Sequence, residues 1–443
     1  MDKPFLNLII FIIMLALTVD VSRASGQLNT VNNQISNNKV NREGVGEITM
    51  QGFIKAKGKA LYTDYGNGEI IYLRGVNLGG FLFQEFWMTP TRPSKKIKAE
   101  LDLYQYLAAK YGREKMRELI ELYQANYFTE RDFDQLAEIG VNVIRLPFWY
   151  INIVDLDGEV REDWYSRFDW FLEEAGKRGI YVIFDFHGAP GSQNGSDHSG
   201  VDGGEDKEAA SKFFYGDAES VAYHQELYYQ IWELIAARYR DNPVVAGYDL
   251  LNEPYCTYRY NATLSVAQLR QQLWSVYDQA YHRIRALDPN HLIIMGATWD
   301  PVDLPRPEDY GWQNIMYKYH NYLYDDYNNA KGRQLKNIQQ KLALIAAADY
   351  NVPVLIGEFN YFNNLAAWEQ GLSLLNKAGL HWTLWTYKVT SDNGNWGLYH
   401  HTGGDVNIER IEAARIAKVW AKVGDSRPNQ RLIEVVTKYL LNQ

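Results

Sequence analysis

The chain has 443 residues, of which 46% are hydrophobic and 22% charged, with a net charge of −9 and no long Lys/Arg cluster. This length suits one large domain with insertions or two smaller ones, and the apolar fraction is enough for a sizeable core. The acidic balance argues against nucleic acid or an anionic membrane surface as a partner. The one cysteine, Cys256, rules out an intrachain disulfide and a Cys-rich metal site.

Residues 1–24 read as a secretory signal. Lys3 is positive, Phe5 to Val19 is almost wholly apolar, and Ser22-Arg23-Ala24 offers small residues to a peptidase. The apolar stretch is short for a membrane span, which takes about 20 residues. The mature protein is expected to be secreted, to the extracellular space or a periplasm, and free of the membrane. Residues 25–48 are rich in Asn, Gln and Ser and are expected to be a disordered linker. Residues 49–443 are expected to carry the function. Asn261-Ala262-Thr263 is a glycosylation sequon, relevant in a eukaryotic secretory pathway.

Gly52 to Asp64 and Glu69 to Val76 are strand-like runs around Asp64-Tyr65-Gly66-Asn67-Gly68, a hairpin turn by composition. The second run enters Gly75-Val76-Asn77-Leu78-Gly79-Gly80, a glycine-rich turn without the spacing or lysine of a nucleotide loop. Short apolar runs then alternate with helical patterns. The runs are Val141 to Phe148, Tyr181 to His187, Val245 to Glu253, Leu292 to Trp299, Ile315 to Tyr322, Val352 to Glu358 and His381 to Tyr387; with Ile70 to Asn77 they number eight. Helix-period segments lie at 132–139, 166–178, 223–239, 269–287, 334–347 and 366–377, and two connections have weaker patterns. Eight alternations predict a parallel sheet with crossover helices, and the count suits a closed (β/α)8 barrel. The expected fold is therefore an α/β barrel with an N-terminal β-hairpin and long loop insertions, at Phe86 to Tyr127 and Gly188 to Phe214. No fixed-period repeat is present.

In such a barrel chemistry collects at the carboxyl ends of the strands. Those ends carry Glu85 after the first strand, Arg145 in the second, His187 in the third, and Asn252 and Glu253 in the fourth. Trp299 ends the fifth, His320 and Tyr322 the sixth, Glu358 the seventh and Trp385 the eighth. So many on one rim point to a site. Metal chemistry would need ligand spacing that the two histidines do not show. Acyl transfer would need a Gly-x-Ser-x-Gly elbow, and hydride transfer a Gly-x-Gly-x-x-Gly turn; both are missing. Two glutamates at the ends of apolar runs remain. Burial there raises a carboxyl's proton affinity, as a general acid near neutral pH requires. Paired carboxylates suit glycoside hydrolysis, in which one donates a proton and the other attacks or activates water. The aromatic content of 14% supplies flat faces for stacking on sugar rings as readily as it supplies core packing. No metal and no cofactor are expected.

These motifs resemble those of family 5 glycoside hydrolases, a retaining β-glycosidase family on a TIM barrel, over about residues 50–425. Asn252-Glu253-Pro254 is similar to the family's acid/base motif and Ile356-Gly357-Glu358-Phe359 to its nucleophile motif. Arg145, His187, His320, Tyr322 and Trp385 fall where the family lines the reacting sugar's subsite. Within the family, Asp185 to Gly195, Arg74 to Gly80 and Gln84 to Pro90 look like segments of exo-β-1,3-glucanases, and Glu85 matches a carboxylate that binds the terminal glucose there. Phe81 stands where that group has Trp, and Trp385-Thr386-Tyr387-Lys388 replaces Trp-Lys-Thr-Glu; both departures are expected near the sugar.

The resemblance implies that Glu358, ionised, attacks the anomeric carbon while Glu253, protonated, donates to the leaving oxygen, with the carboxyls about 5–5.5 Å apart. Arg145 and Tyr322 would keep Glu358 charged, Asn252 would bond the sugar's 2-hydroxyl, and His187 and His320 would add hydrogen bonds. Trp385 would floor the ring. The implied partner is a β-linked oligo- or polysaccharide, the implied state a monomer. An endo-β-1,4-glucanase or β-mannanase of the same family, and a carbohydrate-binding barrel without turnover, remain alternatives.

Overall fold

The computed structural model describes residues 52–254, 264–324, 332–390 and 396–441. The expected signal at 1–24, the linker at 25–48, Cys256 and Asn261 lie outside the described residues. Strands follow in chain order as β1 (Lys55–Lys57), β2 (Ala60–Tyr62), β3 (Ile70–Ile71), β4 (Arg74–Asn77), β5 (Val143–Trp149), β6 (Tyr181–Gly188) and β7 (Val245–Asp249). Then come β8 (Leu292–Gly296), β9 (Ile315–Asn321), β10 (Val354–Phe359), β11 (His381–Leu384), β12 (Lys388–Thr390), β13 (Tyr399–His401) and β14 (Ser426–Pro428).

Strands β4 to β11 pair in parallel in chain order, and β11 closes onto β4 through Trp382–Arg74, Thr383–Gly75 and Leu384–Val76. This is the expected (β/α)8 barrel. Its strands are short and apolar because helices cover one face and the packed interior the other. The helical patterns appear as Glu130–Glu138, Ser166–Gly176, Ala218–Tyr239, Val266–Leu287, Arg333–Ala348 and Leu365–Lys377. Several start where a side chain satisfies a free amide: Asp217 accepts from Ser220 N, Ser265 from Gln268 N and Asn364 from Ala367 N. The two weak connections hold a one-turn helix, Pro307–Tyr310, after β8, and Ala413–Trp420 with Gln430–Leu441 after β11.

The N-terminal hairpin is richer than expected. β2 pairs with β3 across the anticipated turn, but the first run also doubles back at Gly58 (φ 57°), so three antiparallel strands form. Ile54 and Leu61 of this sheet pack with Leu73, Val143, Ile183, Ala246, Leu292, Ile294, Met316 and Leu355 from the starts of the barrel strands. The amino-terminal mouth of the barrel is thus plugged with apolar side chains, which leaves polar groups to the opposite end.

The two departures from the glucanase pattern turn away from that end. Phe81 packs on Tyr127, Phe128, Trp170 and Phe171. The Tyr387 hydroxyl donates to Asp132 Oδ1 at 2.5 Å and buried Lys388 donates to the Tyr127 carbonyl at 2.7 Å. Chain position places these residues near the strand ends but does not fix which way their side chains point. The side chain before them, Trp385, is the one that faces the site. Among the described residues no helix is long and apolar enough to cross a membrane.

Candidate active site

Arg145 in the middle of β5 is the hub. Its fully buried guanidinium donates from Nε to Asp249 Oδ2 at 2.7 Å, from Nη1 to Asn77 Oδ1 and Glu358 Oε1 at 2.8 Å each, and from Nη2 to Asn252 Oδ1 at 2.8 Å. Nη2 also lies 2.7 Å from Asp185 Oδ1. Burial disfavours this charge, but Asp185, Asp249 and Glu358 outweigh it and secure the cation. A second buried cation, Lys318 of β9, donates to both Asp249 oxygens at 2.6 and 2.8 Å. Its methylenes run over Gly296 and Gly357, where a Cβ would meet them at 2.5 and 2.7 Å.

Glu358 belongs to β10, whose pairing with β9 shifts register between Ile356 and Glu358. Such an irregularity re-aims a side chain. Here Asn77 Nδ2 at 2.8 Å and Thr383 Oγ1 at 2.6 Å hold the Gly357 carbonyl. The Glu358 carboxylate receives Arg145 on Oε1 and the Tyr322 hydroxyl on Oε2 at 3.1 Å.

Glu253 does not end its strand, as the sequence pattern implied; β7 stops at Asp249. Beyond it Leu250 N bonds Ile294 O and Asn252 N bonds Phe186 O, so the chain stays attached to both neighbouring strands. Glu253 takes the left-handed region (φ 41°), a conformation that persists only where surroundings impose it. Gln193 Nε2 donates to the Asn252 carbonyl at 2.7 Å and Asn194 Nδ2 to the Glu253 carbonyl at 3.1 Å. The insertion after β6 thus fixes the backbone that carries Glu253. His320 Nδ1 lies 2.7 Å from Glu253 Oε1, and His198 Nε2 3.2 Å from Oε2. One oxygen of Glu253, one of Glu358 and a nitrogen of His320 lie within 4.8 Å of one another.

The remaining expected residues complete one wall. His187 Nδ1 lies 2.6 Å from Asp185 Oδ2, and its ring stacks on Trp385 at 5.4 Å and 15°. Its Nε2 lies 3.3 Å from Asn252 Nδ2 and 3.8 Å from Glu85 Oε1. Trp87 Nε1 donates to Glu85 Oε2 at 2.7 Å, and burial pushes the Glu85 carboxyl up to about 7. Met88, Phe362, Val389 and Trp396 pack with Trp385 into an apolar cluster that Trp87 and Tyr322 extend. Trp299, also expected on this rim, lies edge-on to the Tyr322 ring at 6.3 Å.

The protonation pattern departs from the expected one. Burial pushes Glu358 up to about 8 against the Arg145 ion pair, and Glu253 adds to the rise. Burial also raises Glu253, yet hydrogen bonds from His198 and His320 outweigh it and hold that carboxyl well below the usual range. The two imidazoles beside Glu253 and the repulsion between the carboxylates, neither visible along the chain, account for the difference. Like charges this close titrate as a pair that shares one proton. The form with the proton on Glu253 and the charge on Glu358 is the one Arg145 favours.

Asp185, Asp249, Lys318, Asn77 and His198 are further residues of the site that strand-end position does not single out. Asp249 and Lys318 left a signal, a charged residue inside an apolar strand run. His198 left none, because its place beside Glu253 depends on how a long insertion folds.

A closed parallel barrel with paired carboxylates and a stacking tryptophan at its carboxyl end defines the layout of a carbohydrate-cleaving enzyme. Residues 109–391 match the family model described as Cellulase (glycosyl hydrolase family 5), and the chain belongs to that family of glycoside hydrolases. A β-xylosidase from Phanerodontia chrysosporium is 29% identical over 377 residues, 79% of this chain and 72% of that protein. A glucan 1,3-beta-glucosidase from Candida oleophila is 32% identical over 273 residues, 58% of this chain and 56% of that protein. The chain thus spans little more than half the length of this glucosidase. An endogalactoceramidase structure superimposes with a TM-score of 0.60 at 17% identity, covering 87% of this chain and 84% of that one. A rutinosidase from Aspergillus niger gives 0.55 at 19% identity, covering 81% and 99%. At these identities the structural likeness speaks for the fold alone.

Proposed function

We propose that this chain is a retaining β-glycosidase that hydrolyses β-glucans or β-glucosides, in the manner of an exo-β-1,3-glucanase, by double displacement. The observation that carries the reading is the approach of Glu253 and Glu358 oxygens to within 4.8 Å. Retaining enzymes hold their carboxyls about 5–5.5 Å apart, whereas inverting ones leave about 6.5–9.5 Å for a water. Glu358, held by Arg145 and Tyr322, attacks the anomeric carbon; its C–O bond forms as the glycosidic C–O bond breaks. Glu253 gives its proton to the leaving oxygen, then takes one from the water that releases the sugar. Asn252 and Glu85 bind hydroxyls, His187 and His320 orient them, and Trp385 floors the ring.

Exo action is supported by the low exposure of the carboxylates, 10% for Glu253 and 7% for Glu358, and by the insertion after β6 that supplies Gln193, Asn194 and His198. The reading takes residues 49–443 as the catalytic domain and 1–24 as a secretory signal. A β-xyloside is the second candidate sugar, because the β-xylosidase aligns over a larger share of the chain.

Glu358→Ala with azide and an activated aryl β-glucoside should yield the inverted, α-configured glycosyl azide. Undiminished hydrolysis by that variant would remove the assignment. Product analysis on laminarin, carboxymethyl-cellulose and mannan, beside aryl β-glucoside and β-xyloside, decides linkage and sugar.

A further inference from the structure

His198 stands on the insertion after β6, in the one-turn segment Asp197–Ser199, and no step above uses it. Its side chain is 19% exposed, and Nε2 points at the outer oxygen of Glu253, 3.2 Å away. The same nitrogen lies 2.8 Å from Asn194 Nδ2. Asn194 is itself fixed: its Oδ1 accepts from Ser196 N at 3.0 Å and its Nδ2 donates to the Glu253 carbonyl at 3.1 Å. Nε2 therefore faces a carboxylate that can accept and an amide that can donate. Protonated, it donates to ionised Glu253. Neutral, it accepts from Asn194 or from protonated Glu253. The ring has a partner in either state, which is the arrangement a shared proton needs.

We propose that His198 is a positioning residue that shares the proton of Glu253, and so sets the upper pH at which this enzyme can protonate its leaving group. The inference rests on the reading of Glu253 as acid/base. Other charges around the pair reinforce it. Asp197 Oδ1 lies 3.8 Å from His198 Nδ1, and Glu85 acts on His198 from the far wall. Burial disfavours the imidazolium, but Glu253, Glu85 and Asp197 outweigh it and raise His198 to about 9. On the other side of Glu253, burial pushes His320 down to about 3, so that ring is neutral in the working range. Glu358 faces Glu253 as a second carboxylate, and Arg145 lies behind it. Lys207 donates to Ser196 Oγ of the same segment at 2.8 Å. Among the described residues, His198 is a cation in direct contact with Glu253.

The sign follows. A cation beside Glu253 favours its ionised form, so the carboxyl surrenders its proton at lower pH. That strengthens the acid for a poor leaving group and eases the basic form needed to activate water. It also makes kcat/KM fall at a lower pH on the alkaline side.

The test is the pH profile of kcat/KM for the full chain on an aryl β-glycoside with a poor leaving group. His198→Gln should move the alkaline limb upward by about one pH unit, the low end of the effect of a nearby charge. His198→Asn, smaller and equally neutral, should move it likewise and covers the case in which the glutamine variant folds poorly. An alkaline limb that stays in place in a folded variant, with or without a uniform loss of rate, overturns the proposal. Glu253→Ala separates this from failure of the underlying reading. Loss on poor leaving groups with azide rescue on activated ones keeps Glu253 as acid/base, so that an unmoved limb then counts against His198 alone. No such loss overturns both.

Discussion

Arg145 Nη1 and Glu358 Oε1 meet at 2.8 Å inside the barrel, where the guanidinium has no exposure at all. The same cation serves Asp185 and Asp249, so the expected nucleophile is tied to the charge balance of the barrel interior. Removing the cation strands buried carboxylates. Arg145→Ala should therefore cost about 3–5 kcal/mol of stability as well as activity. Thermal or urea unfolding of the purified variant measures this, and a variant as stable as the parent would contradict the role.

Tyr322 touches the other oxygen of Glu358, and its loss should be cleaner. Tyr322→Phe keeps the ring against Trp396 and Tyr324 and deletes only the 3.1 Å hydrogen bond. A hydrogen bond to a charged group contributes about 1.5–3 kcal/mol. The expected result is a fall of roughly 10- to 100-fold in kcat/KM, beside a loss of stability no larger than about 3 kcal/mol. Steady-state kinetics beside a melting curve will show whether the two effects separate.

Glu85 should give stability a pH dependence. Its folded carboxyl is pushed from 4.5 up to about 7 by burial, so folding favours the protonated form. The stabilisation is complete below about pH 4.5 and is lost as pH rises through about 7. A shift of this size corresponds to roughly 3 kcal/mol. Glu85→Gln cannot ionise and should flatten this slope. Unfolding free energies of parent and variant between pH 4.5 and 7.5 make the comparison, and parallel curves would refute it.

Gly357 precedes the expected nucleophile and leaves no room for a methyl group. A Cβ there would lie 2.7 Å from both Cγ and Cδ of Lys318, whose ammonium is anchored on Asp249. Gly357→Ala should cost about 1–3 kcal/mol by overpacking and lower kcat by displacing Glu358. Denaturant titration together with kcat distinguishes this from a harmless substitution.

The barrel and the positions of Glu253 and Glu358 were legible in the chain, because buried parallel strands are apolar runs and polar residues at their ends stand out. The barrel interior was not. Asp185, Asp249 and Lys318 read as isolated charges until closure of the sheet placed them around Arg145, since sequence gives no distance between residues on different strands. The orientation of Phe81, Tyr387 and Lys388 was likewise open, because one residue of shift reverses the face of a strand or turn.

By itself the sequence determined which chemistry was available: two carboxylates, their strands and the aromatics near them. Only the tertiary structure decided which carboxyl holds its proton more tightly. That depends on groups within a few ångströms, the His198 cation and the neutral His320 ring at Glu253 and Arg145 at Glu358, and electrostatic energy follows separation in space rather than along the chain.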